Sequence, residues 1–128
     1  MIDPPAFRRL LSLLLLGLTD YSIDQRGDVG SWVRMASVSA LVSAIISALR
    51  YISPRGDDAL REYFPPNVFQ ECVSGILKQG VERLDNVRQL VGEEMQRLVG
   101  SVPQILEQSE SNKPWKLHGM ATIRDLTA

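Results

Sequence analysis

Chemistry in a protein needs reactive groups that can converge, and in this sequence they are few. His118 is the sole histidine. A histidine-centred triad with serine and aspartate would have to be assembled at a chain end, where solvation and fraying dominate, so His118 reads as a solvated residue. Cys72 has no histidine near it in sequence and falls on the apolar side of a helical pattern. That makes it a small buried hydrophobe rather than a thiolate nucleophile. One cysteine and one histidine are also too few for a zinc site. Gly27-Asp28-Val29-Gly30 lacks the spacing and the Lys-Ser/Thr of a phosphate loop, and its aspartate would repel phosphate. Glu93, Glu94 and Glu110 read as ordinary solvated acids. The expectation is no enzyme, no metal and no cofactor.

Binding is better served. The stretch Thr19 to Ala36, TDYSIDQRGDVGSWVRMA, is a polar turn feeding a long helix. Asp28 suits a helix cap, since its carboxylate can accept from free N–H groups two or three residues on and complements the positive end of the helix dipole. Gly27 before it can take φ > 0 and reverse the chain. Trp32, Val33 and Ala36 fall on one apolar face with Arg34 beside them. Asp24, Arg26, Asp28, Trp32 and Arg34 are therefore candidates either for protein contact or for stiffening the turn. Trp and Arg are the types that dominate interface energies. The favoured expectation is nevertheless structural: Trp32 packs between helices, and Arg34 pairs with Asp24 or Asp28.

The elements that must position this turn are helical. The 128 residues suffice for one small domain; 45% are apolar, and the net charge of −1 gives no reason to expect nucleic acid. A single cysteine excludes an internal disulfide and fits a reducing compartment. No stretch alternates as a strand does, so the fold class is all-α. Arg8-Arg9 ahead of Leu10–Leu18 superficially resembles a secretory leader, but Asp3 and two prolines interrupt its basic start, and Thr19-Asp20-Tyr21 is no small-residue cleavage site. The leucine run is also short of the ~20 residues that span a bilayer.

Expected helices cover about 5–16, 29–52, 67–79 and 81–99 within a helical-repeat region 1–102. Residues 103–128 would then hold a short helix, a polar break at 109–114 and a truncated terminal helix. The first helix, launched by Asp3-Pro4-Pro5, is apolar nearly all round, so one side should lack a partner in so small a chain. In the second, Val38, Val42, Ile45, Leu49 and Ile52 share a face. The loop 53–66, within which 59–64 is expected to form a short helical turn, carries Asp57, Asp58, Arg61 and Tyr63 and is another contact candidate. At Gly80 the chain either turns or runs straight on. A heptad stripe of Leu77, Val81, Leu84, Val91, Met95 and Leu98 argues for continuation, while Glu82…Val87-Arg88, echoing Asp28…Val33-Arg34, argues for a turn, which is favoured slightly.

Asp20 to Arg34, DYSIDQRGDVGSWVR, resembles the hallmark of the tubulin-folding cofactor D (tubulin-specific chaperone D) family, in which a D-Y-[ST]-[IV]-D-x-R-G-D-V-G-S-W-V-R stretch opens the C-terminal region. The chain departs from the family after Arg34, where Met35-Ala36-Ser37 replaces a charged residue and alanines. The resemblance implies an armadillo/HEAT-like solenoid fragment of antiparallel helix pairs, cut from the C-terminal region of a long helical-repeat protein. It also implies a cytoplasmic, cytoskeleton-associated scaffold segment of a chaperone that captures β-tubulin and helps assemble the α/β-tubulin heterodimer. Implied partners are β-tubulin, tubulin-folding cofactors C and E and an ARF-like small GTPase, with GTPase activation a property of the parent complex. Neither nucleic acid nor membrane is expected. The competing expectations are a small membrane-associated helical protein held through its N-terminal leucine-rich helix, and a partial chain with no independent function.

Overall fold

The long apolar run after the polar turn forms the central helix of the molecule. A computed structural model describes residues 2–107. Its helices are α1 (Pro4–Gly17), α2 (Gly30–Ile52), α3 (Asp57–Tyr63), α4 (Val68–Gln79) and α5 (Asp85–Glu107), with a short 3-10 turn at Ser53–Arg55. The fold is all-α: among the described residues the sole extended pairing is an isolated bridge between Asp24 and Gly27.

Val38, Leu41, Val42, Ile45, Ala48, Leu49 and Ile52 of α2 are all fully buried. Each large one among them contributes roughly 1.5–3 kcal/mol through removal from water. The span Gly30–Arg55 is long and apolar enough to cross a membrane, yet half of its most apolar window is buried against the other helices, as in the core helix of a packed bundle.

Around α2 pack α1, α3 and α5, while α4 lies against α1 and α5. Asp3 caps α1, its Oδ1 accepting from Ala6 N–H at 2.9 Å, and the prolines at the first turn lose nothing because those N–H groups have no intrahelical partner. α1 runs antiparallel to α2. Its last residue, Gly17, lies against Ser37 and Val33 near the start of α2, and Phe7 meets Tyr63 and Phe64 at the other end, with ring centroids 5.5 and 5.4 Å apart. α4 runs parallel to α1 and turns at Gly80 into the loop that leads to α5. α5 lies parallel to α2, where Arg97 donates to Ser39 O and Ser43 Oγ at 3.3 and 2.8 Å.

Several expectations need correction. The chain does break near Gly80, but the next helix starts at Asp85, and Val81 stands 84% exposed in the loop rather than in a heptad stripe. That helix does not end at Val99; it continues through Gly100 and Pro103 to Glu107. The continuation holds because Leu98, Val102, Ile105 and Leu106 are buried, which outweighs the hydrogen bond that proline cannot make. The short helical turn expected at 59–64 is a helix that starts two residues earlier, at Asp57, and Tyr63 is buried rather than at a contact surface, its hydroxyl donating to Ile2 O at 2.7 Å. The two Val-Arg pairs occupy unlike surroundings: Arg34 is buried and Val33 exposed, whereas Val87 is buried and Arg88 reaches Asp85 at the surface. The expectations for His118, for the polar break at 109–114 and for a terminal helix lie outside the described residues.

α1 keeps Leu10, Leu13 and Leu16 exposed at 38%, 59% and 65%, the unpartnered side that an all-round apolar helix leads one to expect.

Cys72 is fully buried beside Val73 and Ile76, and burial pushes its thiol from 9.0 up to about 12. Thiolate is the reactive form. Ellman's reagent at pH 8 should therefore label the folded chain at least ~100-fold more slowly than free cysteine, and rapidly once urea unfolds it. Labelling of the folded chain at the free-cysteine rate would contradict this packing.

Candidate functional site

The residues singled out in the turn come together around one guanidinium. Arg34, one turn into α2, is 0% exposed. Its Nη1 donates to Asp20 O at 2.8 Å and to Asp28 Oδ1 at 3.2 Å, while Nη2 donates to Asp28 Oδ2 at 3.0 Å. This fork against a carboxylate is the strong, directional form of an ion pair. The Tyr21 ring lies under the guanidinium, 4.1 Å from its carbon, and favours the cation through its negative face. Glu82, in the loop before α5, places Oε1 3.8 Å from Arg34 Nε and accepts from the Tyr21 hydroxyl at 2.7 Å. A buried cation is tolerable only when surrounded by such partners.

The local sequence builds this cage. Asp28 Oδ1 also accepts from Ser31 N–H at 3.0 Å, so one carboxylate caps α2 and holds Arg34. Gly30 is required by space: a Cβ there would lie 2.6 Å from Ser22 N and closer still to Asp20 O. Its own N–H donates to Ser22 O at 2.9 Å, drawing the incoming chain across the helix start. Beyond it, Asp24 and Gly27 exchange two main-chain hydrogen bonds of 3.0 Å in a tight reversal, with Gly27 at φ 106°. Asp24 Oδ1 accepts from Arg26 N–H at 2.7 Å, and its Oδ2 accepts from Arg26 Nε and Nη2 at 3.1 and 2.7 Å.

Electrostatics follow these contacts. Arg34 holds the Asp28 carboxyl below its ordinary 3.8, hydrogen bonds from Arg26 do the same for Asp24, and those from the Ser22 hydroxyl and N–H do so for Asp20. The Asp28 hydrogen bond in turn raises Arg34.

Trp32 reverses the favoured expectation. It is 55% exposed, with the Arg26 guanidinium 5.3 Å from its ring centre; Val33 and Ala36 face outward too. The helix can bury only one side here, and the arginine takes it because its charge is matched there. Ile23, 77% exposed at the tip of the turn, adds to the outer apolar surface. Sequence reasoning missed Tyr21, Glu82 and the Asp20 carbonyl as partners of Arg34. The carbonyl carries no sequence signal, and Glu82 comes from 48 residues further on (82 minus 34). It also missed Gln79, buried and donating from Nε2 to Leu18 O at 3.2 Å.

Fold and site define an all-α protein that presents a polar turn with an exposed tryptophan and isoleucine, braced by the ion pair of buried Arg34 with half-buried Asp28. Residues 70–126 match the family model described as tubulin folding cofactor D C terminal. The chain is 26% identical over 85 residues to the tubulin-folding cofactor D of Schizosaccharomyces pombe, a match covering 66% of this chain and 7% of that protein. It is 29% identical over 90 residues to the tubulin-specific chaperone D of Dictyostelium discoideum, covering 64% and 6%. No solved structure matches it. The chain is thus similar in sequence to tubulin-folding cofactor D, and it spans less than a tenth of the length of either relative.

Arg34→Leu should strand the Asp28 carboxylate and cost roughly 3 kcal/mol in a urea titration, with Arg34→Lys losing less. A loss within about 0.5 kcal/mol, the scale of a surface pair, would show that the cage does not hold the turn.

The pH dependence has a definite sign. Asp28, Asp24 and Asp20 all have folded values below 3.8, so their stabilisation is complete above that pH and is lost as pH falls through the lowered values. The melting temperature should drop as pH falls below about 4, and Asp28→Asn should flatten part of that drop. An unchanged profile in that variant would assign the acid sensitivity elsewhere.

Proposed function

We propose that this chain is a scaffold and binding segment of a tubulin-folding chaperone, contributing to the capture of β-tubulin and its assembly with α-tubulin. One observation carries the reading: Trp32, Arg26 and Ile23 are displayed on a turn made rigid from beneath by Arg34. An exposed tryptophan beside an arginine, held in one conformation before binding, spares the interface much of the ordering entropy of association. The similarity to tubulin-folding cofactor D supplies the partner class. Tubulin-folding cofactors C and E, an ARF-like small GTPase, a cytoplasmic and cytoskeleton-associated setting and GTPase activation by the assembled complex belong to the same reading. So does a non-enzymatic role for this segment. Membrane attachment would instead act through the exposed leucines of α1; the turn is favoured because its outward residues have a dedicated support and those leucines do not.

Capture of β-tubulin by the immobilised chain tests the proposal. Trp32→Ala should weaken capture by about 30-fold, the effect of losing a hot-spot residue worth ~2 kcal/mol, and Arg26→Glu by a smaller factor. Equal capture by the wild type and by both variants, each with an unchanged melting temperature, would remove the turn from the contact surface.

A further inference from the structure

The displayed turn has no buried side chain of its own to hold it. Every residue of 21–27 is exposed, and a segment without apolar burial belongs to the least stable part of a fold, able to open while the core stays intact. Its main-chain and carboxylate hydrogen bonds stay within the turn or go to the start of α2. Among the described residues, the hydrogen-bonding group that carries it to another part of the fold is the Tyr21 hydroxyl. That hydroxyl donates to Glu82 Oε1 at 2.7 Å. It also accepts from Gln79 Nε2 at 3.5 Å, the weaker contact, since the same amide donates to Leu18 O at 3.2 Å.

Glu82 is set up for this contact. Its side chain is 18% exposed while Val81 beside it is 84% exposed, so the loop turns the acid inward and the valine out. A hydroxyl donating to a carboxylate is among the stronger hydrogen bonds, and the same Oε1 lies 3.8 Å from the buried Arg34 Nε. From behind, Arg88 Nη1 donates to Glu82 O at 2.9 Å, and Arg88 is itself paired with Asp85 in the first turn of α5. One polar relay thus runs from the start of α5 through Glu82 and Tyr21 to the cage around Arg34, and removing one member of such a network is felt by the others.

We propose that Glu82 is a latch through which the α4–α5 loop sets the rigidity of the Trp32 turn. Latched, the turn is seated on the start of α2; with the loop drawn away, it opens as a unit while the helices stay packed. The consequence for partner capture rests on the reading of Trp32 as a contact residue, whereas the latch itself does not. Hydrogen exchange reads the latch without tubulin, so failure of the latch and failure of capture register in different measurements.

The test is amide hydrogen exchange followed by NMR on the full 128-residue chain. Gly30 N–H, which donates to Ser22 O at 2.9 Å, reports the seating of the turn, and the amides of 41–49 in α2 and 72–76 in α4 report the core. Glu82→Ala should speed exchange at Gly30 by about 10-fold or more, the effect of losing a hydrogen bond to a charged group, and leave the core amides unchanged. Tyr21→Phe, which keeps the ring under Arg34 and removes the hydroxyl alone, should act in the same direction. The double variant should exchange no faster than Glu82→Ala, because both substitutions remove one shared contact. Val81→Ser, at the exposed position next to the acid, should change nothing. Unchanged exchange at Gly30 in Glu82→Ala, equal acceleration of the core amides, additive effects of the two substitutions, or a Val81→Ser variant that behaves like Glu82→Ala would each overturn the proposal.

Discussion

A guanidinium removed from water draws partners from several directions, and that constraint organises this molecule; Nε of Arg34 makes no hydrogen bond, its acid neighbour Glu82 Oε1 standing 3.8 Å away. Arg34 receives a forked carboxylate from Asp28, a main-chain carbonyl from Asp20, an aromatic face from Tyr21 and a second acid from Glu82. Each partner fixes a different piece of chain: the helix cap, the incoming strand of the turn, its side wall, and the loop between α4 and α5. A hydrophobic residue at the same place could fill the volume but would define none of these directions. Charge burial here is better understood as specifying one geometry than as adding stability, since the cost of desolvation offsets much of the attraction.

The same constraint explains why the apolar residues of the turn face water. Near its start α2 has a single side directed into the molecule, occupied by Arg34, Ser37 and Val38. Trp32, Val33 and Ala36 are displaced to the opposite side by the helical period. A sequence in which tryptophan is outside and arginine inside inverts the usual ranking of burial, and such inversions mark places where surface shape matters.

Much of the fold was legible from periodicity. The face Val38, Val42, Ile45, Leu49 and Ile52 is buried throughout, the Asp3-Pro4-Pro5 start is a capped helix, and the chain does turn after Gln79. Failures came where a tertiary contact outweighed a local preference. Pro103 and Gly100 stay helical because the residues around them pack into the core, and Val81 leaves its apparent stripe because the loop carrying Glu82 must reach Arg34. Within the site, the residue types were readable and their orientation was not. Spacing places Trp32 and Arg34 two positions apart, hence on different sides of a helix, but which of them turns inward depends, beyond the nearby Asp28 and Tyr21, on the far-off Glu82 and the Asp20 carbonyl. Those partners are long-range or main-chain, and neither leaves a local signature.

The bare leucines of α1 carry a thermal consequence. Contact between such surfaces and any other apolar surface is driven near room temperature by the entropy of released water, so it weakens on cooling and strengthens on warming. Leu10, Leu13 and Leu16 therefore give this chain a stickiness that rises with temperature, while the salt-screened pairs of the turn respond chiefly to ionic strength. Two surfaces on one small molecule thus answer to different solution variables.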